Sequence, residues 1–186
     1  ILLREYADKL TAGAPKIQIF ASDIDENALA IARNARYPAL LLRDIPPARL
    51  NRFFAREGAT YHVVKDLRDL CVFSAHSLIR DPPFSRLDLI SCRNLLIYLN
   101  TDLQAQIKPL FHYALRANGI LFLGTSENVS RHADLFAPLD KKWRIFERQN
   151  LVSRSVVAFP TAAAGHAELR QGTALVLHDA NTALAA

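Results

Sequence analysis

The sequence predicts an α/β fold around a mostly parallel sheet, and two observations carry that prediction. Short apolar runs alternate with amphipathic helical stretches. Two of these runs also break abruptly into polar residues: Leu87-Asp88-Leu89-Ile90-Ser91 gives way to Cys92-Arg93-Asn94, and Ile17-Gln18-Ile19-Phe20-Ala21 gives way to Ser22-Asp23-Ile24-Asp25. A buried parallel strand reads as a near-continuous hydrophobic run, and open α/β sheets bind ligands just past the carboxyl ends of such strands. Asp23, Arg93 and Asn94 are therefore placed to touch a ligand, and the two strand ends are expected to converge on it.

In order along the chain, Ile1 to Leu10 has helical spacing and Gly13 to Pro15 ends it. Ile17 to Ser22 is a strand, and Asp25 caps a helix over Glu26 to Arg36 with Ala28, Leu29, Ala32 and Ala35 on one face. Pro46 and Pro47 open a short helix with Leu50, Phe53 and Phe54 inward and Gly58 beyond its end. Tyr61 to Val64 and Leu70 to Phe73 are close enough in sequence to pair as a small antiparallel hairpin, so residues 37–73 form an inserted lobe. The main sheet resumes at Leu87. Thr101 with Gln104 makes a capping box for a helix to Arg116, whose middle Pro109 should kink or locally distort and which Asn118 and Gly119 end. Ile120 to Leu123 and Trp143 to Phe146 are further strands, with the polar loop Gly124-Thr125-Ser126-Glu127-Asn128 following the first of them. Residues 1–150 make the domain, and the alanine-rich residues 151–186 read as a partly disordered linker.

Composition sets the outer limits. The 186 residues are half hydrophobic, enough for a sizeable core. The longest apolar stretches fall short of the roughly 18 residues that span a bilayer, which predicts no membrane insertion. Cys71 and Cys92 lack metal-ligand spacing and fit a reducing cytoplasm, and six scattered histidines form no ligand set, so no metal is expected. An excess of 23 Lys and Arg over 18 Asp and Glu favours acidic partners without selecting nucleic acid among them. There is no methionine at all, which suggests a piece of a larger polypeptide.

Three segments, Ser22-Asp23-Ile24-Asp25, Ser91-Cys92-Arg93-Asn94 through Ile97-Tyr98, and Gly124 through Glu127-Asn128, together resemble the C-terminal S-adenosylmethionine-binding domain of the CheR-type chemotaxis methyltransferases. The wording of Asp81 to Asp88 is similar to the branch fused to sensory or methylesterase modules. The resemblance implies a Rossmann-like class I methyltransferase sheet and transfer of a methyl group from S-adenosylmethionine to glutamate side chains on cytoplasmic segments of chemoreceptors, with fused signalling modules as further partners. An acidic residue at a strand end accepts both ribose hydroxyls, a place Asp23 occupies. Ser77 and Leu78 match positions that frame the adenine and ribose, with serine standing where asparagine is commoner. Cys92 contributes its backbone, Asn94 lines the same pocket, Arg93 holds a carboxylate through its planar fork, and Tyr98 offers a hydroxyl beside the methyl group. The small lobe, matched by Tyr61 to Phe73, docks receptor segments by strand addition in that family.

The resemblance also implies a first strand and a glycine loop upstream of Ile1. No Gly-x-Gly loop occurs in the chain, so weak or no binding of S-adenosylmethionine is expected from it alone, with turnover in the parent protein. Plainer readings stand beside these. Asp23 can cap the next helix, Arg93 can form a surface ion pair, Tyr98 can be a core aromatic, and Glu127 and Asn128 can simply form a turn. The domain can be a silent binding module of a signalling fusion. Asp81-Pro82-Pro83-Phe84 resembles an element with which nucleic-acid amino methyltransferases hold a target nitrogen. That element follows its strand, whereas this one precedes Leu87, which favours a turn and argues against nucleic acid as substrate.

Overall fold

A computed structural model describes residues 1–10, 13–129 and 132–150; the expected linker lies outside them. The chain divides into two compact units, Ile1–Ser77 and Leu78 onward.

In the first unit, helix α1 (Leu2–Ala7) is followed by strand β1 (Ile19–Asp23) and helix α2 (Glu26–Asn34). The Asp25 carboxylate accepts the Asn27 N–H at 2.8 Å and caps α2. The helix stops at Ala35, which turns left-handed at φ 53°. Strand β2 (Arg36–Pro38), helix α3 (Pro47–Phe53), strands β3 (Phe54–Glu57) and β4 (Thr60–Val63), the single turn α4 (Lys65–Arg68) and strand β5 (Cys71–Ala75) complete the unit. Pro47 sits in the first turn of α3, where its missing N–H costs nothing. Arg49 of α3 grips the Glu5 carboxylate of α1 with two bonds of 2.9 and 2.8 Å, which holds the Glu5 carboxyl below its ordinary range.

The lobe differs from the expected hairpin. β4 pairs antiparallel with β2 on one side and β3 on the other, with Gly58 at φ 59° in the turn between β3 and β4. β5 leaves the lobe and pairs in parallel with β1, from Ile19 opposite Cys71 to Asp23 opposite Ala75. The physical reason lies in the sequence between them. Lys65 to Arg68 coils into a helical turn, with Lys65 paired to Asp69, which turns the chain away from β4. Cys71-Val72-Phe73 is a continuous apolar run, the mark of a parallel strand rather than of a half-solvated hairpin.

The second unit is built from strand β6 (Leu87–Cys92), helix α5 (Thr101–Ala114) and strands β7 (Leu115–Leu123), β8 (Phe136–Asp140) and β9 (Ile145–Arg148), in the sheet order β6-β7-β9-β8. β6 and β7 are parallel, and β9 and β8 return antiparallel. Residues 81–85 make an irregular approach to β6, as expected of paired prolines. Ile107 and Phe111 of α5 pack with Leu96, Leu121, Leu123 and Phe136 in one buried cluster. Two details of α5 depart from expectation. Its cap is Asn100, whose carboxamide oxygen accepts the Leu103 N–H at 2.9 Å, while Gln104 donates backward to the carbonyls of Leu96 and Leu99 instead of closing a box with Thr101. Asn118-Gly119 does not end the helix either; β7 already begins at Leu115, and Asn118 at φ 61° lies where the register shifts between Leu87 and Leu89. Among the described residues no helix is long and apolar enough to cross a membrane.

Candidate functional site

In the first unit the parallel pair β1–β5 ends in polar residues. Asp23 closes β1 and is exposed, and its backbone carbonyl accepts the His76 N–H at 3.0 Å, so the chain leaving β5 stays beside it. Ser77 follows directly, which brings Asp23 and Ser77 to the same strand end. One Asp23 oxygen accepts the Asp25 N–H at 3.0 Å and shapes the loop. The helix cap is Asp25, not Asp23, so capping does not account for Asp23. A ribose presents two neighbouring hydroxyls that need an acceptor, and an exposed carboxylate at a strand end fits that need.

In the second unit the end of β6 is locked by Glu127, which the sequence offers both as part of the family-like segment and as a turn former. Glu127 is buried, and its carboxylate accepts three backbone N–H groups: Leu96 at 2.7 Å on Oε1, and Asn94 at 3.0 Å and Gly124 at 2.6 Å on Oε2. It thereby ties the loop after β6 to the loop after β7. Gly124 completes the joint, since a Cβ there would run into the Asn94 side-chain oxygen and lie 2.8 Å from the Asn94 nitrogen. Asn94 itself takes φ 59°, a left-handed backbone that asparagine tolerates better than most residues. The only sequence signal for this joint is a lone acidic residue three positions after a glycine at a strand end.

Cys92 is buried, and burial, with the Glu127 carboxylate adding to it, pushes its thiol up to about 12, so it stays a neutral thiol. Arg93 sets its guanidinium 4.8 Å from the centre of the Phe122 ring and forms no ion pair among the described residues, which removes the ion-pair reading. Tyr98, in the 3-10 turn Leu96–Tyr98, is 66% exposed and is no core aromatic. Leu78 is partly buried against the hydrophobic cluster. Cys92, Arg93 and Asn94 thus follow one another at the end of β6, and Tyr98 stands exposed in the 3-10 turn that comes next.

Residues 1–145 match the family described as the CheR methyltransferase, SAM binding domain. The chain belongs to this family. Its fold is accordingly Rossmann-like, and S-adenosylmethionine is the family's cofactor. Among similar curated proteins, an uncharacterised 104.1 kDa protein of Rhodobacter capsulatus is 37% identical over 133 residues, covering 72% of this chain and 14% of its own. A putative methyltransferase, Cher3, of Pseudomonas putida is 37% identical over 140 residues, covering 70% and 51%. The chemotaxis protein methyltransferase of Salmonella typhimurium is 34% identical over 133 residues, covering 67% and 45%. The chain therefore spans about half the length of these methyltransferase relatives and a seventh of the Rhodobacter protein.

Proposed function

We propose that this chain is the cofactor-binding part of a cytoplasmic protein-glutamate O-methyltransferase that modifies chemoreceptor segments. S-adenosylmethionine supplies a sulfonium methyl, which passes to a glutamate carboxylate to give a methyl ester and S-adenosylhomocysteine. The observation that carries the reading is Arg93, a guanidinium seated on Phe122 without an anionic partner among the described residues, on a loop that Glu127 holds rigid.

A glutamate side chain, with an unperturbed pKa of about 4.3, is an anion at neutral pH and needs no general base. The work left to the protein is alignment, which can lower a barrier by on the order of 7 to 11 kcal/mol. Arg93 orients the acceptor carboxylate, the exposed Tyr98 hydroxyl lies five residues on as a second donor, and Asp23, with Ser77 beside it, takes the ribose. Asn94 and the Cys92 backbone line the loop. The three-stranded lobe leaves β2 and β3 as its edges, which suits receptor docking by strand addition.

The test is transfer of labelled methyl from S-adenosylmethionine to receptor cytoplasmic segments by the full-length protein. The product should be base-labile, because a carboxyl methyl ester releases methanol in alkali where a methylated amine does not. Arg93→Ala should lower the rate on the order of a hundredfold. Label stable to base, or none at all with cofactor bound, favours a different acceptor or a silent binding module.

A further inference from the structure

The Arg93 loop shares its end of the sheet with a second exposed feature. β9 runs antiparallel to β7 with Ile145 opposite Phe122, so the turn before β9 lies at the end of the sheet where β6 and β7 finish. That turn reads Asp140-Lys141-Lys142-Trp143-Arg144. It is fixed to the site from both sides: the Leu123 N–H donates to the Arg144 carbonyl at 3.0 Å, and Arg144 Nε donates to the Thr125 carbonyl at 2.9 Å, within the loop that carries Glu127. With β7 between them, β6 and β9 set the backbones of Arg93 and Arg144 roughly 10 Å apart.

The chemistry of the turn is one-sided. The Asp140 carboxylate is used inside it, accepting the Trp143 N–H at 3.0 Å, while Lys141 and Lys142 are exposed. Lys142 Nζ lies 5.2 Å from the Trp143 ring centre, and Trp143 is 55% exposed beside Leu139 at 56%. An exposed tryptophan among cations serves no core and exceeds what solubility needs; aromatic and arginine anchors ringed by charge are the composition of binding surfaces.

We propose that the turn Lys141–Arg144 is a docking surface for the acidic flank of the segment that presents its glutamate to Arg93. This rests on the reading of the Arg93 loop as an acceptor site, and charge complementarity selects the partner. A single-stranded nucleic acid would call for successive aromatic platforms, and this turn offers one ring.

Trp143 is the chain's one tryptophan, so its fluorescence reports on the turn directly. A glutamate-rich helical peptide titrated into the 186-residue chain should shift Trp143 emission to saturation, increasingly weakly as salt rises, while its glutamine copy leaves the emission unchanged. Lys141→Glu/Lys142→Glu should weaken the peptide roughly tenfold with an unchanged melting temperature. Equal binding of the glutamine copy, unaltered affinity in the double variant, or tighter binding of a single-stranded oligonucleotide overturns the proposal. In the full-length enzyme the same variant should raise KM for receptor segments and leave kcat and S-adenosylmethionine affinity alone. If no methyl moves while the peptide binds as described, the docking surface stands and the methyltransferase reading falls. If methyl moves with KM indifferent to the two lysines, the reverse holds.

Discussion

Glu127 decides the geometry of the second strand end. A buried carboxylate is expensive to desolvate, and three backbone N–H donors at 2.6 to 3.0 Å repay that cost by also pinning two loops that otherwise share only their strands. Glu127→Ala leaves those donors buried without an acceptor and is expected to lower stability by about 2 to 4 kcal/mol in urea unfolding; a change within half a kcal/mol would mean that the loops hold themselves. Gly124→Ala should cost about 1 to 3 kcal/mol by driving a methyl group into Asn94. The places of Asp23, Arg93 and Asn94 at strand ends are legible in the sequence because each stands where an apolar run breaks into polar residues, and such a break is a local signal. The partners of Glu127 are not legible there, because Leu96 and Asn94 lie 31 and 33 residues away in another loop.

Elements were legible where one physical signal dominates and misread where two compete. Asn100 and Thr101 both suit a helix cap, and only the bond to Leu103 separates them. Asn100→Ala should therefore cost about 1 kcal/mol and Thr101→Ala clearly less, by thermal melts of the two variants. Nearness in sequence points β5 to the wrong partner, against its unbroken apolar run, and β8 gives no clear strand signal because Pro138 and Asp140 dilute its pattern. Where α5 meets β8, His112 packs edge-on to Phe136 and its Nε2 lies 2.8 Å from the Gln149 carbonyl. Burial lowers its pKa below the ordinary 6.5, and burial lowers that of His132 as well. The native state thus takes up these protons later than the unfolded chain. The stability they contribute is complete above pH 6.5 and is lost as pH falls through the lowered values. The melting temperature should drop on acidification through this window, before Glu5 is protonated, and the drop should shrink in His112→Gln; a rise would contradict the assignment.

For the whole molecule, the fold class was readable because alternating strand and helix patterns survive local errors. The division at Ser77 is not, since the paired prolines just beyond it read as a turn into β6 and the chain passes there through residues that read as site-forming. In the proposed function each unit has its own role: Asp23 of the first would accept nucleoside hydroxyls, and Arg93 of the second would hold an anionic side chain. Mutation should separate the two roles: Asp23→Ala should weaken S-adenosylmethionine and spare the receptor segment, and Arg93→Ala should do the opposite. The most direct measurement is single-turnover methyl transfer by the full-length protein with receptor segment and cofactor varied independently. Asp23→Ala is expected to be rescued by excess S-adenosylmethionine and Arg93→Ala is not. Rescue of Arg93→Ala by cofactor, or full activity of either variant at limiting cofactor and receptor, would contradict it.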